Sequence, residues 1–215
     1  MNKLVFKKDT HQYFIKNKEL ISVSKIINNY LGSNYDNVPK DVLKNAAVRG
    51  QWVHKLNELY LQNINKENII NDLLNKLKPL TNEINYSYCE KSLIFLKEKF
   101  IDKDNFEFII EEPISHNYVA GIPDLIYLDK KQDKYFLIDY KTYAVIDKNK
   151  LQRIKLQLTA YYWLLIKNGF QKLSNITYVY LTNKKEQKEI EITIQDLHEW
   201  NMALLSYKEW KETEK

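Results

Sequence analysis

The chain has 215 residues, 44% of them hydrophobic and 28% charged, which is enough to bury one core in a globular domain of ordinary composition. A single cysteine, Cys89, excludes an internal disulfide framework and any four-cysteine zinc or iron–sulfur site. The net charge of +5 permits a polyanionic partner without requiring one.

In chain order, Leu4–Lys7 and Gln12–Ile15 read as a short hairpin, followed by a helix from about Ser22, a residue suited to an N-cap. The first residues turn charged at once, with no signal-peptide core, and no apolar run approaches the length of a membrane span. A soluble cytoplasmic protein without membrane contact is expected, with no room for a transit peptide. Asp41 to about Asn63 is helical in pattern, with Gly50 either dividing the helix or marking a close approach. Glu67 to Phe100 is again helical, interrupted at Pro79. The character then changes to short β-favouring runs at Phe106–Ile110, Tyr118–Ala120, Leu125–Leu128 and Tyr135–Ile138. A helix over Leu151–Asn168, closed by Gly169, precedes strands at Ile176–Thr182 and Glu189–Thr193 and a last helix over Gln195–Trp210. In that helix Trp200, Leu204 and Trp210 fit either a core or an interface. This order predicts an α/β fold, a single domain over residues 1–215 with a central mixed β-sheet flanked by helices.

Chemistry concentrates in Gly121-Ile-Pro-Asp124 and in Phe136-Leu-Ile-Asp139-Tyr-Lys141. Residues two apart on a strand share a face, so Asp139 and Lys141 reach one place, and a hairpin of the two strands brings Asp124 beside them. Neighbouring carboxylates at the end of an apolar strand repel unless a cation lies between them, and a hard divalent ion with oxygen ligands fits that need. Such an ion polarises a phosphate while the ammonium stabilises developing charge. The spacing by itself is equally met by a surface hairpin in which Asp139 and Lys141 pair with each other. Arg153, Gln157 and Tyr161 repeat at intervals of four and form one polar stripe along a helix, opposite Leu158, Tyr162 and Leu165. Arg49 and Arg153 are the only two arginines among 33 basic residues, and Arg presents a planar fork that matches phosphate where Lys does not.

Asp-(fourteen residues)-Asp-x-Lys resembles the core motif of the PD-(D/E)xK nuclease superfamily. Two further segments are similar to its RecB-like branch, which includes phage exonucleases and the mitochondrial genome-maintenance exonucleases. These are Arg49-Gly-Gln-Trp-Val-His54, like the Arg-Gly-x-x-Val-His signature, and Gln157-Leu-Thr-Ala-Tyr161, like the Gln-x-x-x-Tyr motif. Glu111-Glu112-Pro113 resembles the acidic strand before the Gly-x-x-Asp turn, and His11-x-Tyr13 with Ser22-Val-Ser is similar to the N-termini of phage-type members.

The resemblance spans about residues 10–185 and implies a restriction-endonuclease-like core over about 106–185 with a helical insertion over about 63–100. It implies metal ligation (Mg²⁺ or Mn²⁺) by His54, Asp124, Asp139 and the main-chain carbonyl of Tyr140. Lys141 would orient or activate the attacking water, and Gln157 and Tyr161 would brace the site or contact DNA. Either Glu111 or Glu112 fills the acidic position, Glu111 matching the usual spacing. Arg49 and Arg153 are expected DNA contacts. Lys76, Lys78, Lys91 and Lys97 are further candidates for the DNA backbone, with Tyr86 and Tyr88 placed to stack on bases. The function implied is a metal-dependent DNA exonuclease leaving 5′-phosphates and 3′-hydroxyls, acting on ends in phage-type recombination, replication or repair, in the host cytoplasm if phage-encoded. The alternatives are a nuclease subunit of a larger helicase–nuclease or adaptation complex, and a catalytically silent DNA-binding protein. Oligomeric state and protein partners are left open.

Overall fold

The structure, a computed structural model, describes residues 3–32 and 38–213. Strands β1 (Val5–Lys7), β2 (Gln12–Ile15) and β3 (Lys18–Ser22) form an antiparallel meander. Its second turn places Lys16 and Asn17 at positive φ, as a two-residue hairpin turn of matching twist demands. The Ser22 hydroxyl accepts from the Lys25 N–H at 3.2 Å and starts α1 (Val23–Leu31), the N-cap expected at that residue. Helix α2 (Lys40–Gln62) runs unbroken through Gly50, where an added Cβ would lie 3.7 Å from Thr142 Oγ1. Gly50 therefore marks an approach of α2 to the sheet and not a break. Helix α3 (Ile69–Leu77) ends in a 3₁₀ turn holding Pro79, and α4 (Glu83–Lys99) restarts with Asn82 accepting from the Asn85 N–H.

The remaining elements are β4 (Phe106–Ile110), β5 (Ile114–His116), β6 (Val119–Gly121), β7 (Leu125–Asp129), β8 (Lys134–Lys141), α5 (Lys148–Lys167), β9 (Leu173–Thr182), β10 (Gln187–Thr193) and α6 (His198–Thr213). The central sheet has the order β10-β9-β8-β7-β4, with β8 and β9 parallel across the α5 crossover and the other neighbours antiparallel. A second sheet, β1-β2-β3-β6-β5, pairs β3 parallel to β6. The α/β class with a mixed central sheet holds, while the second sheet was not expected. Its strands β3 and β5 have five and three residues, too short for an alternation to register.

Alternation along β8 sends Phe136, Ile138 and Tyr140 to one face and Leu137 and Asp139 to the other. The first face packs with Leu125, Tyr127 and Tyr180 against α2, α3 and α4, including Val53, Leu56, Leu93 and Leu96. Helices α3 and α4, within the segment read as an insertion, thus complete a core on the sheet. The second face packs Ile126, Leu137 and Val179 against α1, α5 and α6, through Ile26, Ile154, Leu158 and Trp200. Each fully buried Leu or Ile contributes roughly 1.5–3 kcal/mol. Trp200 is fully buried, which makes it core, and Leu204 and Trp210 pack half-buried against it. Helix α6 starts at His198 because the Asp196 carboxylate accepts from the His198 N–H and turns the chain there. Among the described residues no helix is long and apolar enough to cross a membrane.

Candidate functional site

The antiparallel register of β7 and β8 pairs Leu125 with Ile138, so Asp124 comes opposite Asp139 at the end of β8. Asp124 joins the two faces of the sheet. Its Oδ2 accepts the Tyr140 N–H at 2.7 Å, and its Oδ1 lies 3.3 Å from His54 Nδ1, projected from α2. The His54 ring stands edge-on to Tyr140, with centroids 5.5 Å apart. On the α5 side, Asp139 is 1% exposed, with Oδ2 at 2.6 Å from Lys141 Nζ and no hydrogen-bond donor at Oδ1. Lys141 Nζ also donates to Gln157 Oε1 at 3.2 Å, and Gln157 Nε2 donates to the Tyr161 hydroxyl at 3.3 Å. Tyr161 is anchored in turn: its ring lies 2.6 Å from where a Cβ on Gly121 would stand. Gly121 is required because the Tyr161 ring occupies that space.

The electrostatics follow from this geometry. Burial pushes the Asp139 carboxyl up to about 6, Lys141 offsets this only in part, and Asp124 adds to it. Burial also disfavours the Asp124 carboxylate, but the His54 charge and hydrogen bond, with Lys141 and the Tyr140 N–H, outweigh it and hold its pKa low. Burial lowers the His54 pKa, and the charge and hydrogen bond of Asp124 more than reverse that. Burial likewise opposes the Lys141 ammonium, yet Asp139 and Asp124 together raise its pKa. Lys141 therefore stays protonated and serves as a donor and a positive charge.

Of the two acidic candidates, Glu111 belongs to the cluster and Glu112 faces solvent. Glu111 lies just past β4, at φ 46°, with its N–H bonded to the Asp124 carbonyl. The resemblance implies a strand here, but β4 ends at Ile110 and Glu111 lies just beyond it. Its carboxyl is raised by burial first, then by Glu58 and Asp124. Glu58 is a site neighbour that the sequence reading missed, although it follows His54 by four residues on one helix and so shares its face. The Lys55 ammonium at 2.6 Å and Gln62 at 3.1 Å hold its carboxylate.

Other residues read as substrate contacts are engaged within the protein. Arg153 donates to Asn28 Oδ1 at 2.9 Å and to the Gly32 carbonyl, tying α5 to the end of α1. Arg49 donates to the Thr142 carbonyl at 3.4 Å and stacks over the Tyr88 ring. Tyr88, expected to stack on bases, is 2% exposed and sits in the core beneath that guanidinium, so the expectation is corrected. Tyr86 packs half-buried against the same core, and Lys91 donates to the Lys184 carbonyl at 2.5 Å. Two cavities lie away from the cluster, one of about 710 Å³ near Lys134 and Ser174 and one of about 670 Å³ between α2, α3 and α4.

Among the described residues no three His, Cys, Asp or Glu side chains converge as a ready-made metal cluster. The two aspartates are engaged instead with the protein's own side chains, Asp139 with the Lys141 ammonium and Asp124 with the His54 ring. The donor set of carboxylates and one imidazole, with a buried Asp139 oxygen lacking a donor, fits a hard divalent ion.

The model of the PD-(D/E)XK nuclease superfamily matches residues 29–213. No curated protein matches the chain. Among solved structures, a protein from Eubacterium rectale provisionally assigned as an exonuclease is 14% identical, with a TM-score of 0.52, covering 90% of this chain and 80% of that one. At that identity the likeness concerns the fold. The structure of SSO0001 is 20% identical over 73% of this chain and 82% of that one, with a TM-score of 0.36.

Proposed function

The chain belongs to the PD-(D/E)XK nuclease superfamily, and on that basis we propose that it is a divalent-metal-dependent deoxyribonuclease acting on DNA ends. We place it in the RecB-like branch, in phage-type recombination, replication or repair. The observation that supports this most is the pairing of a partly buried Asp124 and a buried Asp139 with Lys141 beside them at the end of β8. Acidic groups packed this closely are unfavourable without a compensating cation.

Asp124, Asp139 and the Tyr140 carbonyl would hold Mg²⁺ or Mn²⁺, with His54 and Glu111 beside them. The ion supplies Lewis acidity toward a phosphodiester when bound. The chain's own residues do the rest. The Tyr140 N–H and His54 fix the rotamer of Asp124, so its oxygens are aimed before substrate arrives. Lys141 orients the attacking water by donating a hydrogen bond, and its charge stabilises the negative charge that develops on phosphate. Gln157, braced by Tyr161, holds the Lys141 ammonium on this side of the sheet.

The test is cleavage of end-labelled linear single- and double-stranded DNA, with closed circles as control, in Mg²⁺, in Mn²⁺ and in chelator. Metal-dependent loss of linear DNA alone is expected. Cleavage of circles would replace exonuclease by endonuclease action on the same chemistry, and absence of cleavage in every condition would overturn the proposal.

A further inference from the structure

The N-terminal meander, singled out in the sequence by His11-x-Tyr13, has no part in the chemistry above, yet topology brings one end of it to the site. Strand β2 is antiparallel to both β1 and β3, and β3 is parallel to β6. Strands β1, β3 and β6 therefore all run the same way. The end of β1 and the Lys8–His11 turn lie at the same edge as Gly121, the last residue of β6, from which the chain passes to Asp124. The other turn, at Lys16–Asn17, lies at the opposite edge.

Packing fixes this placement. Tyr13 is 2% exposed and forms a small core with Leu20, Ala120 and Ile122, the last of which belongs to the Gly121–Asp124 loop. Phe6 stacks on Tyr13, and the His11 ring stands edge-on to both. The turn closes through the His11 N–H to the Lys8 carbonyl at 3.3 Å, with His11 at φ 50°. Lys7, Lys8 and His11 are exposed on this frame, and among the described residues neither lysine is in ion-pair contact with a carboxylate. Lys8 is also near enough to Glu111 to lower its carboxyl pKa, the smallest influence on a group that burial, Glu58 and Asp124 raise overall. The turn carries exposed Lys7, set over the Phe14 ring, and exposed Lys8 together with a single carboxylate, Asp9. It therefore presents net positive charge at the sheet edge that leads to the site carboxylates, which suits a ligand that is itself an anion and extends past the site.

We propose that the Lys8–His11 turn grips the sugar–phosphate backbone of the nucleic-acid strand entering the site, with Lys8 and His11 as donors to phosphate. This rests on the nuclease reading above. Phosphate contacts position a strand without reading its sequence, so the turn sets the approach of the substrate and not its base preference.

The experiment uses the full chain carrying Lys141→Ala to suppress cleavage, and measures binding of a short labelled single strand and of a blunt duplex by fluorescence anisotropy over a range of salt. Adding Lys8→Ala should weaken binding several-fold and lower the slope of log K against log salt by about 0.7 on single strands and about 0.9 on duplex. Lys16→Ala removes the same charge at the far turn and should change neither. In the otherwise wild-type enzyme, Lys8→Ala should raise KM with little change in kcat. Equal effects of Lys8→Ala and Lys16→Ala, or no effect of either, would overturn the turn contact while cleavage by the wild type upholds the nuclease reading. A Lys141→Ala chain that does not bind DNA, together with a wild type that does not cleave it, would overturn both.

Discussion

Gly121→Ala puts the least visible element of the site to the test. An ideal Cβ at this position lies 2.6 Å from Tyr161 Cε1 and 3.2 Å from Val23 Cγ2. Carbon atoms settle at about 3.5–4.0 Å, so the tyrosine ring has to move by roughly 1 Å. It has little room, being 8% exposed and packed in the core with Leu158 and Leu165. Overpacking of this kind costs about 1–3 kcal/mol, and each kcal/mol lowers Tm by roughly 2–4 °C in a chain of this size. The same displacement carries Gln157 away from Lys141, so turnover should fall on the order of a hundredfold. The assay is a double-mutant cycle with Tyr161→Ala, reading both thermal unfolding and single-turnover DNA cleavage. In the Tyr161→Ala background the added methyl has space, and its cost in Tm should largely vanish. Equal cost in both backgrounds would refute the steric argument, as would a Gly121→Ala protein indistinguishable from wild type.

Gln157→Ala should lower kcat by about ten- to a hundredfold with a smaller change in KM, because it frees the Lys141 ammonium without removing a substrate contact; steady-state kinetics on labelled DNA checks this. The His54–Asp124 pair gives a pH signature in chelated protein. The His54 pKa is raised in the fold, so its contribution is fully present below 6.5 and lost as pH rises through the folded value. The Tm difference between wild type and His54→Gln should accordingly be larger at about pH 5.5 than at about pH 9. Mn²⁺ at about a hundred times its Kd should stabilise the wild type by about 2.7 kcal/mol and leave the melting of Asp124→Asn nearly unchanged. Leu96→Ala, at a fully buried position facing the sheet from α4, should cost about 2–5 kcal/mol in chemical denaturation without altering metal dependence.

What the sequence made legible is what local periodicity encodes. The two-residue period of β8 sets Asp139 beside Lys141, and the hairpin of β7 with β8 brings in Asp124, because both are short-range relations. The repeat of four on α5 lined up Gln157 and Tyr161, and the structure turns this stripe toward Lys141. Arg153 occupies the same stripe yet faces α1, because a helix stripe eight residues long passes more than one neighbour. Glu58 escaped notice for a related reason. Its spacing from His54 is regular, but its nearness to Glu111 depends on how α2 docks on the sheet, which no local pattern records. The burial of Tyr88 beneath Arg49 depends on that same packing. The space over Gly121 is likewise visible only once α5 is laid against β6.

The measurement that bears most directly on the central claim compares wild type with Lys141→Ala for binding and single-turnover cleavage of end-labelled DNA in Mn²⁺ and in chelator. Removing the protonated lysine beside Asp139 should cut the cleavage rate by at least about a thousandfold while Kd stays within about threefold, since its contribution belongs to the transition state. A variant that cleaves at the wild-type rate, or a wild type that cleaves equally well in chelator, would contradict the account.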